Sequence, residues 1–137
     1  MMAPNAKETL LEIERRFINS FLDILILLIL HSQGGELSGY DIIKHLQADY
    51  GFLVSPGTVY SCLSYMERDG LLRGTQNGKK RVYFLTEEGT KTAQTILDAR
   101  DKFINFISII LHTSCNVNLL SPQLSIPFSS KESLPDA

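Results

Sequence analysis

The sequence predicts a mostly α fold with a small β-hairpin, in the order of a winged helix-turn-helix followed by a long C-terminal dimerisation helix. Three observations predict it. In the stretch SPGTVYSCLSYMERDGLL, from Ser55 to Leu72, the residues Val59, Leu63 and Met66 recur at helical spacing, with Thr58, Ser61, Ser64, Tyr65 and Arg68 off that stripe. Directly behind it, Leu71 and Leu72, the polar stretch Gly74 to Lys80, and RVYFLT read as strand, turn and returning strand. An apolar seam then runs through Ala93, Ile96, Leu97, Ile104, Ile107 and Leu111, on a helix of about seven turns, longer than a small domain can cover.

Composition sets the outer bounds. The 137 residues suffice for one domain with a core, and 44% apolar with 20% charged residues is the balance of a globular chain. Thirteen basic against fifteen acidic residues leave a formal charge of −2, so a polyanionic partner has to be recognised by local charge. Cys62 and Cys115 stand far apart without CxxC spacing, which speaks against a disulfide framework or a zinc site and for reduced thiols in the cytoplasm. His31, His45 and His112 are dispersed with no ligand partner at metal-binding spacing, so no metal and no cofactor are expected.

Taken in order, a helix is expected from near Glu8, with Leu10, Ile13, Phe17, Phe21 and Leu28 along one face. Ile24 to Leu30 is apolar all round, but a run of seven is far short of the roughly 18 residues that a membrane span needs. Acidic residues before it and the absence of a small-residue cleavage site also set it apart from a secretory signal. His31 to Ser38 reads as a loop, with Ser38 capping a helix in which Tyr40, Ile43, Leu46 and Tyr50 hold one face and which Gly51 ends. Phe52 to Val54 is a connector. Ser55 is placed to cap the next helix with its hydroxyl, Pro56 sits where its missing N–H costs nothing, and Gly70 ends the helix. Thr86, Glu87 and Glu88 cap the long last helix. From Ser114 the period stops, and a flexible tail is expected. The expected organisation is a helical extension over 1–20, a winged-helix domain over 21–86, a dimerisation helix over 87–113 and the tail over 114–137.

Three helices followed by a hairpin suit duplex DNA. A helix rich in small hydroxyls and aromatics can lie in the major groove, and a basic wing can neutralise phosphates beside it. Residues 68 to 81 carry Arg68, Arg73, Lys79, Lys80 and Arg81 against Asp69 alone. The candidate groove contacts are Thr58, Tyr60, Ser61, Ser64 and Tyr65, and the candidate phosphate contacts are Lys79, Lys80 and Arg81. No nucleophile with its base, glycine-rich phosphate cradle or paired carboxylates appear at useful spacing, so an enzyme is not expected.

The words GYDIIKHL, SPGTVYSCLSYMERDGLL and RVYFLTEEG, in this order and at these distances, resemble the PadR-type winged-helix transcriptional regulators over about Phe21 to Leu111. The resemblance implies a homodimer in which the long last helix packs on the first helix of the partner. That gives the seam an occupant and places Phe17, Phe21, Ile96, Leu97, Ile104, Ile107 and Leu111 at the dimer contact. It also implies that Ser55, Gly57, Thr58 and Tyr60 face DNA, that Lys79 to Arg81 are the wing's basic residues, and that Tyr83 is the tyrosine of the closing strand. A small apolar effector at the dimer interface is a further partner of the kind the family takes. Where many relatives carry arginines in mid-helix this chain has Ser64 and Tyr65, which moves the electrostatics to the wing. The expectation is a homodimeric, sequence-specific DNA-binding regulator, a repressor, set against a winged helix serving only as a protein-interaction module.

Overall fold

The computed structural model describes residues 5–51 and 54–112, so the tail over 114–137, Cys115 and most of the Phe52 to Val54 connector lie outside the described residues. The chain divides into two units, residues 1–94 and 95–137.

Helix α1 (Ala6–Ser20) begins two residues before the expected Glu8, because Asn5 and Glu8 form a capping box. The Asn5 side chain accepts from the Glu8 amide at 2.8 Å, and the Glu8 carboxylate accepts from the Asn5 amide at 3.1 Å. Glu12 then holds Arg15 and Arg16 on the same exposed face. The helix does not run on unbroken into the apolar stretch: Phe21 leaves helical geometry at φ −112, ψ 25, and α2 (Leu22–Gln33) follows. Asn19 and Ser20 are weak helix formers, and just past the break the Asp23 carboxylate accepts from the Ile24 amide at 2.8 Å. Helix α2 supplies the centre of the core with Ile26, Leu27, Ile29 and Leu30.

The expected loop from His31 to Ser38 contains a strand. After Gly34 caps α2, Leu37–Ser38 (β1) pairs antiparallel with the returning arm of the hairpin, Leu37 against Tyr83 and Ser38 against Val82. Two residues are too few for a period to show in the sequence. Helix α3 (Gly39–Tyr50) starts at the expected Ser38, which forms a second capping box with Asp41, and ends at Gly51, whose φ of 70 suits glycine. Its buried face is corrected to Ile42, Ile43 and Leu46, since Tyr40 is 62% exposed, with Lys44 stacked over its ring at 5.4 Å, and Tyr50 is also exposed.

Helix α4 (Pro56–Arg68) buries the expected Val59, Leu63 and Met66 completely. Full burial of side chains this size stabilises by roughly 1.5–3 kcal/mol each. The hairpin is β2 (Leu72–Asn77) and β3 (Lys80–Leu85), in a sheet ordered β1-β3-β2. Gly74 to Asn77, expected in the turn, are strand, and the turn is reduced to Gly78 and Lys79, Gly78 taking a positive φ. Thr86 acts as the expected cap: its hydroxyl accepts from the Gly89 amide at 3.0 Å and can donate to Gly70 O at 2.6 Å, which ties the wing's base to α5 (Glu87–Asp98). The single long helix expected over 87–113 is interrupted once. The Ala99 amide is shared between Thr95 O and Ile96 O, each at 3.1 Å, a tightening that separates α5 from α6 (Arg100–His112).

Candidate nucleic-acid interface

The candidate reading surface is the face of α4 opposite its buried stripe. Ser55, Gly57, Thr58, Tyr60, Ser61, Ser64 and Tyr65 are all exposed there, because every third or fourth residue goes to the core and the rest are turned out. Ser55 does not cap the helix with its hydroxyl; its carbonyl accepts from the Val59 amide at 3.1 Å, and Pro56 starts the helix. An extended residue ahead of proline is favoured sterically, and at φ −59, ψ 125 the Ser55 side chain makes no capping bond. The hydroxyl is therefore left on an exposed residue at the helix start.

The two tyrosines are held differently. The Tyr60 ring lies against Gly39 at the start of α3: a β-carbon built there would stand 2.3 Å from the ring, so only glycine leaves room for it. With the hydroxyl end of the ring seated there and the residue still 45% exposed, the rest of the ring is held in a fixed place. Tyr65 is 46% exposed further along the helix, and Asp69, through a side-chain hydrogen bond and its charge, raises its phenol above the ordinary value. Cys62, between them, is half-buried, its thiol 3.8 Å from the Met66 sulfur, and burial with the nearby Asp23 pushes it up to about 11.

The wing separates its cations. Lys79 and Lys80 are exposed at the turn, and Lys80 lies near enough to Asp41 to help lower that carboxyl, after the stronger hydrogen bonds to the Ser38 side chain and backbone. Arg73 is exposed on β2. Arg81 sits elsewhere: its guanidinium is 2.7 Å from Glu67 of α4 and 5.8 Å from the centre of the Tyr83 ring. Tyr83 is buried, and burial raises its phenol while Arg81 beside it pulls the other way. Glu67 lies one residue ahead of the basic stretch 68 to 81, and its partner is fourteen residues away, so no local pattern announces the pair. Gly39 belongs to the GYDI word, which gives no sign that it seats Tyr60.

Of the residues expected at a dimer contact, Phe17 and Phe21 are exposed in the first unit and Ile104 and Leu111 in the second, with Ile96, Leu97 and Ile107 half-buried. Among the described residues no helix is long and apolar enough to cross a membrane.

Comparison with known proteins gives this geometry its context. Residues 26–95 match the model of the transcriptional regulator PadR-like family. A transcriptional activator, GvpE of Haloferax mediterranei, is 28% identical over 106 residues, which cover 76% of this chain and 54% of that protein, so the chain spans about half the length of this curated relative. A PadR family transcription regulator from Clostridium difficile superposes with TM-score 0.54 at 29% identity, covering 64% of this chain and 93% of that one. A PadR family regulator from Eggerthella lenta gives TM-score 0.60 at 24% identity over 80% of this chain and 93% of its own, a likeness of fold.

Proposed function

Because the chain belongs to the PadR-like family of transcriptional regulators, and so is a regulator and not an enzyme, we propose that it works as a homodimer that binds a specific duplex site and represses transcription there. The observation that supports this is that the braced Tyr60 and Thr58, Ser61 and Ser64 of α4, and Lys79 and Lys80 at the tip of the wing that follows it, are all exposed. Small hydroxyls and a fixed aromatic edge suit base edges and thymine methyls in the major groove. Lysines at the wing tip suit phosphates, which position the protein without reading sequence. The protein acts in the cytoplasm, where its operator lies.

In the dimer, the exposed apolar residues of α1 and α6 cover each other across the two protomers, and the two α4 helices meet half-sites about one helical turn, roughly 34–36 Å, apart. A small apolar effector is received by the groove of about 500 Å³ that Phe17, Ile18, Phe21, Leu25 and Tyr50 line with Glu14 and Asp49.

Titrating genomic fragments selected for binding, across a salt series, tests the reading. The expected result is tight binding to a pseudo-palindromic subset with affinity falling steeply in salt. Replacing Lys79 and Lys80 with alanine should weaken all sequences alike and reduce the salt slope by about 1 for each phosphate that is no longer neutralised. Tyr60→Ala should instead cost discrimination at particular base pairs, roughly 1–3 kcal/mol. Protein that ignores duplex DNA at every salt concentration would remove the proposal. A promoter–reporter assay reads the sign of regulation, which the relative named an activator makes a separate measurement.

A further inference from the structure

Glu67 makes two contacts that belong together. One carboxylate oxygen, Oε2, accepts from the Arg81 guanidinium at 2.7 Å and from the backbone amide of Gly74 at 3.2 Å. The first contact holds β3 and the second holds β2, so a single side chain near the end of α4 grips both strands of the wing. Arg81 reaches Glu67 by crossing the hairpin over Gly74. In the register Gln76 stands opposite Arg81 and Gly74 is its diagonal neighbour on the same face. A β-carbon at Gly74 would come within 2.8 Å of both Nε and Nη2 of Arg81, so the absence of a side chain at position 74 opens the path. The guanidinium of Arg81 also lies over the buried Tyr83 ring, 5.8 Å from its centre.

We infer that Arg81 is a positioning residue rather than a phosphate contact: with Glu67 and Gly74 it forms a strut that fixes the wing to the recognition helix. The inference rests on the DNA-binding reading for its consequence, and on the free protein for its geometry. A groove-bound helix and a phosphate-bound wing engage one duplex together only if their separation is set beforehand. Backbone turns and the Thr86 hydroxyl join α4 to the wing at the base of the hairpin, whereas Glu67 takes hold further along it. The charges that meet phosphates are then Lys79, Lys80 and the exposed Arg73.

The two roles of Arg81 predict opposite signs for Glu67→Ala. Alanine is a good helix former, so α4 keeps its fold, while the change removes an anion from the DNA face and releases Arg81. If Arg81 is a phosphate contact held back by Glu67, binding tightens and the salt slope grows. If Arg81 is a strut, binding of the selected duplex weakens, roughly three- to tenfold, with the slope unchanged. Gly74→Ala makes the same test with no change of charge: its methyl displaces the guanidinium, and the same weakening at constant slope is expected. Hydrogen exchange of the Gly74 amide in free Glu67→Ala protein reads the strut without DNA, and it should quicken while amides of α2 keep their protection. Tighter binding by Glu67→Ala, or an unchanged Gly74 amide, overturns the inference. Wild-type protein that binds no duplex defeats the functional reading alone, and the exchange measurement still decides whether the strut exists.

Discussion

At Cys62 a half-buried site next to the Asp23 carboxylate sets the chemistry of one side chain. Burial first, and that charge second, raise the thiol from 9.0 to about 11. At pH 8 its thiolate fraction is therefore roughly a hundredfold below that of an exposed thiol, and it behaves as a small apolar group on the flank of α4 rather than as a redox sensor. In a Cys115→Ser background, alkylation followed by mass spectrometry should be about that much slower for folded protein than for denatured protein; equal rates would show an open, ordinary thiol. The raised value means that stability is complete below about 9.0 and is lost as pH rises from there through about 11, because the unfolded chain ionises first. The stripe of Val59, Leu63 and Met66 that Cys62 flanks was legible because helical spacing is local. The sequence could not show that Glu67 and Arg81 pair, or that Tyr60 rests on Gly39, since both contacts join residues that only the tertiary fold brings together.

Among the elements, α3 shows most directly what its first turn contributes. Ser38 accepts from the Asp41 amide at 3.1 Å and Asp41 accepts from the Ser38 amide at 3.3 Å, and Ser38 is at the same time the last residue of β1. Ser38→Ala should cost about 1 kcal/mol in urea unfolding at neutral pH, as for other lost caps. The Asp41 carboxyl lies below its ordinary 3.8, chiefly through the Ser38 hydroxyl, so the contribution of its charge is complete above 3.8 and disappears as pH falls below that and through the folded-state value. The variant should flatten that acid limb; an acid limb of unchanged steepness would show that Asp41 owes its shift to something else. The cap was legible because Ser-x-x-Asp is written within four residues, and α4 and β3 were legible because their apolar periods run for several residues. The strand β1 has two residues and borrows its identity from Val82 and Tyr83, and the interruption at Ala99 arises from carbonyl geometry that no side-chain pattern encodes. On α3 the pattern misleads, because a tyrosine at helical spacing looks like core, although Tyr40 is exposed with its ring under Lys44.

For the molecule as a whole, a formal charge of −2 and a DNA partner are compatible only if the cations are gathered where the duplex lies and the apolar helix faces are covered elsewhere. On the proposed reading, one protomer would bring a few wing cations and a recognition helix without arginine in its middle, and so modest affinity for a single half-site. Two protomers joined as proposed would double the phosphate contacts, and the second half-site would then bind at high effective concentration. In the proposed dimer the outward apolar residues of α1 and α6 would be the means, with Ile104 63% and Leu111 68% exposed. Ile104→Glu and Phe17→Glu, one on each face, should each shift the molar mass in sedimentation equilibrium from twice the chain mass toward the 15.4 kDa of one chain. Each should also lower affinity for a two-half-site duplex by roughly a hundredfold while leaving binding to a single half-site nearly unchanged. A variant that stays dimeric would take its residue out of the contact. Protein that is already monomeric as wild type, yet binds the full site tightly, would mean that the duplex itself brings the two protomers together.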